Sequence, residues 1–223
     1  MHRHFDEEIV ELRQKLVLMG SLAESMIQHA LRMLVERNER HGQEVARREE
    51  QVNELQIEID DRCLKLLALQ NPMASDLRLI TAAMKINADL ERIGDQAVNI
   101  AENAVKVAAA PPLRPLMDLP RMAELAEGMT RDSLDAFVRR DAELARQILA
   151  RDDEVDQLKD QIFRVLLTHM MADPGTIERA LSLILVSRNL ERIADHATNI
   201  AEDVIFVVEA KDVRHHHEER EAR

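Results

Sequence analysis

A fourteen-residue segment occurs twice in this chain, 100 residues apart, and it constrains the fold more than any other feature. Ten of its fourteen positions are identical in the two copies, DLERIGDQAVNIAE at 89–102 and NLERIADHATNIAE at 189–202. A second pair of segments, 48–53 and 151–156, also matches. Repetition at a fixed spacing indicates a structural unit that is used more than once. We therefore expect two copies of one unit in tandem.

Each repeated segment belongs to a longer stretch in which apolar residues alternate four and three positions apart. This spacing favours helices that pack into bundles at shallow crossing angles. Aromatic residues make up only 2% of the chain, which argues against sheets. The sequence therefore predicts an all-α fold of two tandem three-helix bundles related by internal duplication. The two stripes consist of Ile86, Leu90, Ile93, Ala97, Ile100 and Ala104, and of Val186, Leu190, Ile193, Ala197, Ile200 and Val204.

Glycine and proline divide the chain into predicted helices and one linker. Gly42 and the Asn71-Pro72 pair mark the breaks in the first half, and 173–175 marks one in the second. Four of the six prolines lie within 111–120, and a helix does not continue through such a segment. We expect a first bundle at 1–110, a proline-rich linker at 111–120, a second bundle at 121–212 and a polar tail at 213–223.

The boundaries of the individual helices follow from the same signals. We expect helices at 5–38, from Gly42 to 70, at 75–109, at 121–139, at 142–171 and at 176–210. Ser75 or Asp76 is expected to cap the third of these, because both side chains can accept hydrogen bonds from the first amides of a helix.

Charge and composition exclude several classes of protein. The formal net charge is -12, and the arginines are interspersed with acidic residues, so no basic patch for nucleic acid is expected. No apolar run reaches the roughly 18 residues that span a bilayer, so a membrane would be met only through a partner. Cys63 is the single cysteine, and the first residues lack the apolar core of a signal peptide. These features favour a cytoplasmic protein.

An acidic row follows one face of each repeated segment. In a helix, the Glu-x-x-x-Asp-x-x-x-Asn spacing places three oxygen-bearing side chains within an arc of roughly 80°. The preceding helix carries a second pair of oxygen-bearing residues, four positions apart, that would face this row. The candidate residues are Glu91, Asp95 and Asn99 with Glu49 and Asn53 in the first copy, and Glu191, Asp195 and Asn199 with Asp152 and Asp156 in the second.

Two interpretations of the acidic row remain open. Oxygen ligands without sulfur suit hard cations such as Mg²⁺, Mn²⁺, Ca²⁺ or ferric iron. Alternatively, the row is a solvated or ion-paired face. Glu and Asp four residues apart repel each other at a cost of about 0.2–0.5 kcal/mol, which weighs against a merely exposed surface. Arg92 and Arg192 follow the glutamates directly and can relieve only part of that repulsion.

At these residues the sequence resembles the PhoU family of bacterial regulators of phosphate transport. The resemblance covers nearly the whole chain and includes its length and its duplication. It rests on NPMASDLR at 71–78, DLERIGD at 89–95, NLERIAD at 189–195, HMMAD at 169–173 and KDVRH at 211–215. It implies two three-helix bundles that carry metal ions or metal clusters at the repeated acidic positions. Asn53 stands where the second copy has Asp156, so the first site is expected to bind metal more weakly.

The resemblance also implies a function. Members of the family are cytoplasmic negative regulators of the phosphate-starvation response, and they restrain phosphate uptake. They link the ATPase subunit of the phosphate ABC transporter to its sensor histidine kinase, and many are homodimers. We therefore expect a signalling adaptor that acts through protein contacts rather than as an enzyme.

Other classes of protein explain fewer features of the sequence. Di-metal carboxylate enzymes use Glu-x-x-His pairs, and this sequence contains none. A phospho-accepting role for His196 is disfavoured, because no acidic residue follows it and Gln96 takes its place in the first copy. A metal-binding or purely structural helical scaffold without a signalling role remains the alternative. A structural scaffold alone explains the apolar stripes but not the repeated acidic row.

Overall fold

The computed structural model describes residues 2–70, 72–109, 111, 113 and 118–214. Asn71, half of the proline-rich segment (112 and 114–117) and residues 215–223 of the tail lie outside the described residues. Within the described ranges the chain is helical and forms no strand. The helices are α1 His2–Glu36, α2 Arg40–Gln70, α3 Ala74–Ala108, α4 Asp118–Arg139, α5 Ala142–Leu149, α6 Asp152–Ala172 and α7 Ile177–Glu209, and a 3₁₀ turn at Pro174–Thr176 precedes α7.

These helices form two bundles, and the predicted all-α fold is confirmed. In the first bundle, α1, α2 and α3 pack against one another. In the second, α4 and α7 pack with α5 and α6, which together take the place of α2. All twelve residues of the two predicted stripes are buried, none more than 1% exposed. Burying one large aliphatic side chain contributes about 1.5–3 kcal/mol, so the stripes supply much of the stability of each bundle.

The two bundles are joined mainly through α3 and α7, which make the most extensive contact of any helix pair. Lys85 near the start of α3 bonds Asp203 near the end of α7, with 2.8 Å between Nζ and Oδ1. Further along α3, Asp89 lies 2.8 Å from Nδ1 of His196. The later residue of α3 pairs with the earlier residue of α7, so the two helices run antiparallel.

The break between α1 and α2 lies earlier than the sequence predicts. Arg37 ends α1 in a left-handed conformation with φ 56°, and the Asn38 side chain accepts a hydrogen bond from the amide of Arg40 at 3.1 Å. Gly42, the predicted break, lies inside α2. A Cβ atom at Gly42 would lie 3.0 Å from Sδ of Met33, so this glycine permits close packing of α1 and α2 rather than a turn.

The second bundle repeats this turn. Arg140 has φ 54°, and the Asp141 side chain accepts hydrogen bonds from the amides of Glu143 and Leu144, at 3.1 and 2.9 Å. In both bundles an arginine in the left-handed conformation is therefore followed by an Asn or Asp that caps the next helix. Asn and Asp are among the residues preferred at that position. The duplication thus includes a turn that lies before the matching sequence segments.

Two other predicted helix starts are corrected by the structure. Met73 precedes the first residue of α3, and its side chain makes no capping bond, so Ser75 and Asp76 lie within the first turn. In the second half, α4 begins at Asp118, and Pro120 lies in its first turn instead of ending the linker. Proline is tolerated there because the first amides of a helix have no intrahelical partner.

The predicted helix at 142–171 is interrupted. The turn at Ala150 and Arg151 separates α5 from α6, whereas α2 runs without a break. The amide of Arg151 bonds the carbonyl of Ile148 at 3.0 Å. Three acidic residues, 152–154, occupy the first turn of α6, where the helix dipole favours negative charge. None of the helices in the described ranges is long and apolar enough to cross a membrane.

Candidate functional site

The first acidic cluster consists of Glu49 on α2 and of Glu91, Asp95 and Glu102 on α3. Burial raises the pKa of Glu49, and the charges of Asp95 and Glu102 raise it further. The pKa of Glu91 is also raised, first by burial and then by Asp95. The charges of Asp95 and Glu102 act on Glu49 across the two helices, so Glu49 lies beside the acidic row of α3 as the sequence predicts.

The side chains of Asn53 and Asn99, the two predicted amide ligands of the first copy, do not join the first acidic cluster in the part of the chain that the structure describes. Asn53 is exposed on α2. The backbone carbonyl of Asn99 accepts a hydrogen bond from the side chain of Asn103 at 2.8 Å. Among the described residues, neither the Asn53 nor the Asn99 side chain is hydrogen-bonded to a carboxylate of the cluster.

The second acidic cluster consists of Asp152 and Asp156 on α6 and of Glu191 and Asp195 on α7. The pKa of Asp195 is raised to about 6, first by loss of hydration and then by Glu191, Asp152 and Asp156. Burial and the neighbouring carboxylates also raise the pKa of Asp152. The structure therefore brings together the four acidic side chains that the sequence assigns to this site.

Lys159 lies in the second cluster, and sequence reasoning missed it. Its Nζ is 2.8 Å from Oδ1 of Asp156 and 3.1 Å from Oε1 of Glu191. These bonds raise the pKa of Lys159, so its charge persists at neutral pH. Gln56 takes the corresponding place in α2, so the first cluster has no such cation. The spacing of Lys159 three residues after Asp156 was the available signal, since residues at i and i+3 share a helix face.

Asn199 faces the other bundle rather than the second cluster. Its Nδ2 donates to Oδ1 of Asp89 at 3.3 Å, and the same oxygen lies 2.8 Å from Nδ1 of His196. Asp89 on α3 therefore binds two residues of α7 and helps to hold the bundles together. In the second copy the corresponding residue is Asn189, so only the first bundle contributes a carboxylate at this position of the repeat.

Whether these clusters fit a metal ion depends on the chemistry of their donor atoms and on whether those atoms point towards one place. The donors are carboxylate oxygens, which suit hard cations. Within the described ranges, however, no three His, Cys, Asp or Glu side chains are arranged to hold a metal ion. Metal binding would require the carboxylates of either cluster to turn towards one another. The predicted metal sites stay a prediction.

Comparison with known proteins agrees with this architecture. The sequence model of the PhoU domain matches residues 16–104 and again 119–204. The chain is 41% identical, over 96% of its length and 84% of the relative, to the phosphate-specific transport system accessory protein PhoU homolog of Pseudomonas putida.

Two crystal structures resemble the whole fold. PhoU from Pseudomonas aeruginosa superposes with a TM-score of 0.90 at 38% identity, covering 93% of this chain and 100% of that one. The phosphate transport system regulatory protein PhoU from Streptococcus pneumoniae superposes with a TM-score of 0.87 at 28% identity, covering 94% and 99%. With two domain matches and full-length relatives, the chain belongs to the PhoU family.

Proposed function

We propose that this protein is an accessory protein of a phosphate-specific transport system and a negative regulator of the phosphate-starvation response. The observation that carries the proposal is the full-length similarity to the Pseudomonas putida protein of that description. In this role the protein restrains phosphate uptake when phosphate is abundant. It does so as an adaptor between the ATPase subunit of the phosphate ABC transporter and the sensor histidine kinase.

Contact between proteins, rather than catalysis, is the proposed mechanism. The second bundle supports it with apolar side chains that are exposed at four-residue spacing on neighbouring helices, which is typical of a contact surface. These side chains are Phe163 and Leu167 on α6 and Leu181 and Leu185 on α7. In the first bundle, Thr81 and Lys85 stand in the positions of Leu181 and Leu185, so the α7 part of this surface has no apolar counterpart on α3.

The state of the single cysteine argues against one kind of catalysis, nucleophilic attack by a thiol. Cys63 is buried, and burial raises the pKa of its thiol to about 12. A thiol of this kind does not form the thiolate that nucleophilic catalysis requires. The adaptor works in the cytoplasm, as a homodimer, and meets the membrane only through the transporter and the kinase.

Alkaline phosphatase activity in phosphate-replete cells tests this function. Cells that lack the gene should show high activity, and restoring the wild-type gene should repress it. Leu181→Glu places a charge on the apolar surface and should fail to repress, while Thr81→Glu at the matching position of the first bundle should repress normally. Unchanged low activity in the deletion strain would contradict the regulatory role.

We also propose that the acidic clusters bind cations through oxygen ligands alone, with Mg²⁺, Mn²⁺, Ca²⁺ or iron as the candidates. The carboxylates of the two clusters would hold the ion, and the bound charge would offset the burial and the repulsion that together raise the pKa of Glu49 and Asp152. The ion would then fix α2 to α3 and α6 to α7. A metal-binding scaffold without a signalling role is the second candidate function. Stoichiometric metal in a protein whose deletion leaves alkaline phosphatase unchanged would favour it.

A further inference from the structure

Arg13 on α1 is a half-buried arginine without a counter-ion. Its Nε is buried and has no hydrogen-bond partner, and within the described residues Arg13 forms no ion pair. Two other half-buried arginines are paired, Arg62 with Glu8 and Arg151 with Asp132. Arg78 on α3, like Arg13, has a buried Nε without a hydrogen-bond partner. Buried N–H donors nearly always have a partner, so the Nε of Arg13 requires an explanation.

A second arginine lies beside it. Helix α1 runs antiparallel to α4, because Gly20 faces Leu134 and Gln28 bonds Glu127 at 2.8 Å. Continued towards the start of α1, this register places Arg13 opposite the end of α4, where Arg140 lies. Consistent with this, the pKa of Arg13 is lowered by burial and then by the charge of Arg140. Arg140 also makes no ion pair among the described residues.

The acidic side chains nearest in sequence to these arginines are engaged elsewhere. Nη1 of Arg62 binds both Glu8 and Glu11, which precede Arg13 on α1. Asp141, next to Arg140, accepts from two amides of α5. The charge of Arg140 thus reaches Arg13, and among the described residues neither guanidinium is paired with a carboxylate, in a chain whose formal net charge is -12.

We propose that Arg13 and Arg140 form a binding site for a small, doubly charged oxyanion of which inorganic phosphate is the test case. Guanidinium groups bind tetrahedral oxyanions through paired, charge-assisted hydrogen bonds. A dianion between the two arginines neutralises both charges and gives the buried Nε of Arg13 an acceptor. The site does not depend on the regulatory function proposed above, since it rests on the unpaired arginines alone.

The backbone of Arg140 offers a matched control. Arg140 and Arg37 have the same left-handed conformation at the same turn of the two bundles, with φ 54° and 56°. Glycine adopts this conformation without steric cost, so Arg140→Gly and Arg37→Gly have the same effect on the turn. Only Arg140→Gly removes a guanidinium from the proposed site. Arg139→Gln is a second control, because Arg139 is exposed and pairs with Asp135 at 3.4 Å.

Equilibrium dialysis of the full chain against labelled phosphate tests the site, with EDTA present and sodium chloride holding the ionic strength constant. Wild-type protein should bind one phosphate per chain saturably. Arg13→Gln and Arg140→Gly should each weaken binding by roughly ten- to a hundred-fold, the loss expected for a charge-assisted hydrogen bond. Arg37→Gly and Arg139→Gln should bind as wild type does.

Competing sulfate separates a general oxyanion site from one that prefers phosphate. Displacement of phosphate by equal sulfate supports the general site, and failure to displace it supports a phosphate-selective one. Absence of saturable binding to the wild-type protein would overturn the proposal. Equal binding by Arg140→Gly and wild type, or an equal loss in Arg140→Gly and Arg37→Gly, would overturn it as well.

Discussion

In the first acidic cluster the ion pair comes from α3 itself, Arg92 with Glu91 at 3.6 Å, whereas in the second the ammonium group of Lys159 joins α6 to α7. Both clusters come from the same repeated motif, but the helix facing the second motif carries Asp156 where α2 carries Asn53. Lys159 bonds Asp156 and Glu191 and so cancels that additional charge. The compensating residue lies outside the fourteen-residue repeat. Identical motifs can therefore acquire different electrostatic environments from the helix packed against them.

The helix that faces each motif differs as well. Glu49 lies in the middle of α2, whereas Asp152 is the first residue of α6. The dipole of α6 stabilises the charge of Asp152, which competes with any bound cation for that carboxylate. Both differences, Lys159 and the start of α6, act to weaken cation binding at the second cluster relative to the first.

Gly20→Ala should have the largest effect, because Gly20 lies at the contact between α1 of the first bundle and α4 of the second. A Cβ atom at Gly20 would lie 1.9 Å from Cδ1 of Leu134, so the Leu134 side chain must leave its place in the contact or α1 and α4 must move apart. We expect a loss of about 1–3 kcal/mol in the free energy of unfolding, measured by urea denaturation. Gly128→Ala is the control, since only Nη2 of Arg131 lies within 4 Å of that position, at 3.9 Å. An equal effect of the two substitutions would contradict the packing.

Exchanging the residues that distinguish the clusters sharpens the comparison. Lys159→Gln should lower the free energy of unfolding by about 1 kcal/mol at low salt, because it leaves the second cluster uncompensated. Gln56→Lys should stabilise the protein by introducing the cation into the first cluster. Both effects should shrink in high salt, which screens partly exposed charges. Urea denaturation at two salt concentrations measures them, and effects of the same sign for both substitutions would refute the assignment.

The raised pKa of Asp195 makes the free energy of unfolding depend on pH through the second cluster. Its pKa is about 6 in the folded protein and 3.8 without the fold, so the folded state binds the proton more tightly. The contribution of Asp195 to stability is therefore fully present below pH 3.8 and is lost as the pH rises through about 6. Asp195→Asn should remove this slope between pH 4 and pH 7 and stabilise the protein at pH 7. Urea denaturation across this range checks it, and an unchanged slope in the variant would rule out Asp195 as its source.

Gly94→Ala should have the smallest effect, and it makes the first motif more like the second, which has Ala194. A Cβ atom at Gly94 would lie 3.5 Å from Cε of Met26 and 3.6 Å from Cγ1 of Val52, which are ordinary contacts. We expect a gain of up to about 1 kcal/mol in thermal denaturation, because alanine favours helix over glycine. A loss of stability would show that the two motifs are packed more differently than their backbones indicate.

The helices and their buried faces could be predicted from the sequence because both depend on local periodicity. Ile86 and Val186 repeat with their neighbours at helical spacing, and both are buried. Turns were less predictable. The signal at Gly42 was a packing requirement, and Arg37 adopts the left-handed conformation that usually favours glycine. The interruption before Asp152 depends on hydrogen bonding at a turn that no glycine or proline marks.

The acidic clusters were predictable only in part. Residues on one helix face, such as Glu191 and Asp195, could be grouped from their spacing. Between helices, the repeat pointed to Glu49, Asp152 and Asp156 as facing residues, but further contacts could not be predicted because they depend on the angle and register of packing. Lys159 therefore went unnoticed in the second cluster, and Asn199 turned out to bond Asp89 of the other bundle.

Manganese binding to single-residue variants tests most directly the claim that the two clusters differ through Lys159. Free Mn²⁺ is measured by electron paramagnetic resonance during titration of wild type, Asp95→Asn and Asp195→Asn. Our account predicts that Asp95→Asn weakens Mn²⁺ binding more than Asp195→Asn does, and that Lys159→Gln strengthens binding at the second cluster. A larger loss from Asp195→Asn, as the exchange of Asn53 for Asp156 alone would give, or no difference between the variants and wild type, would contradict it.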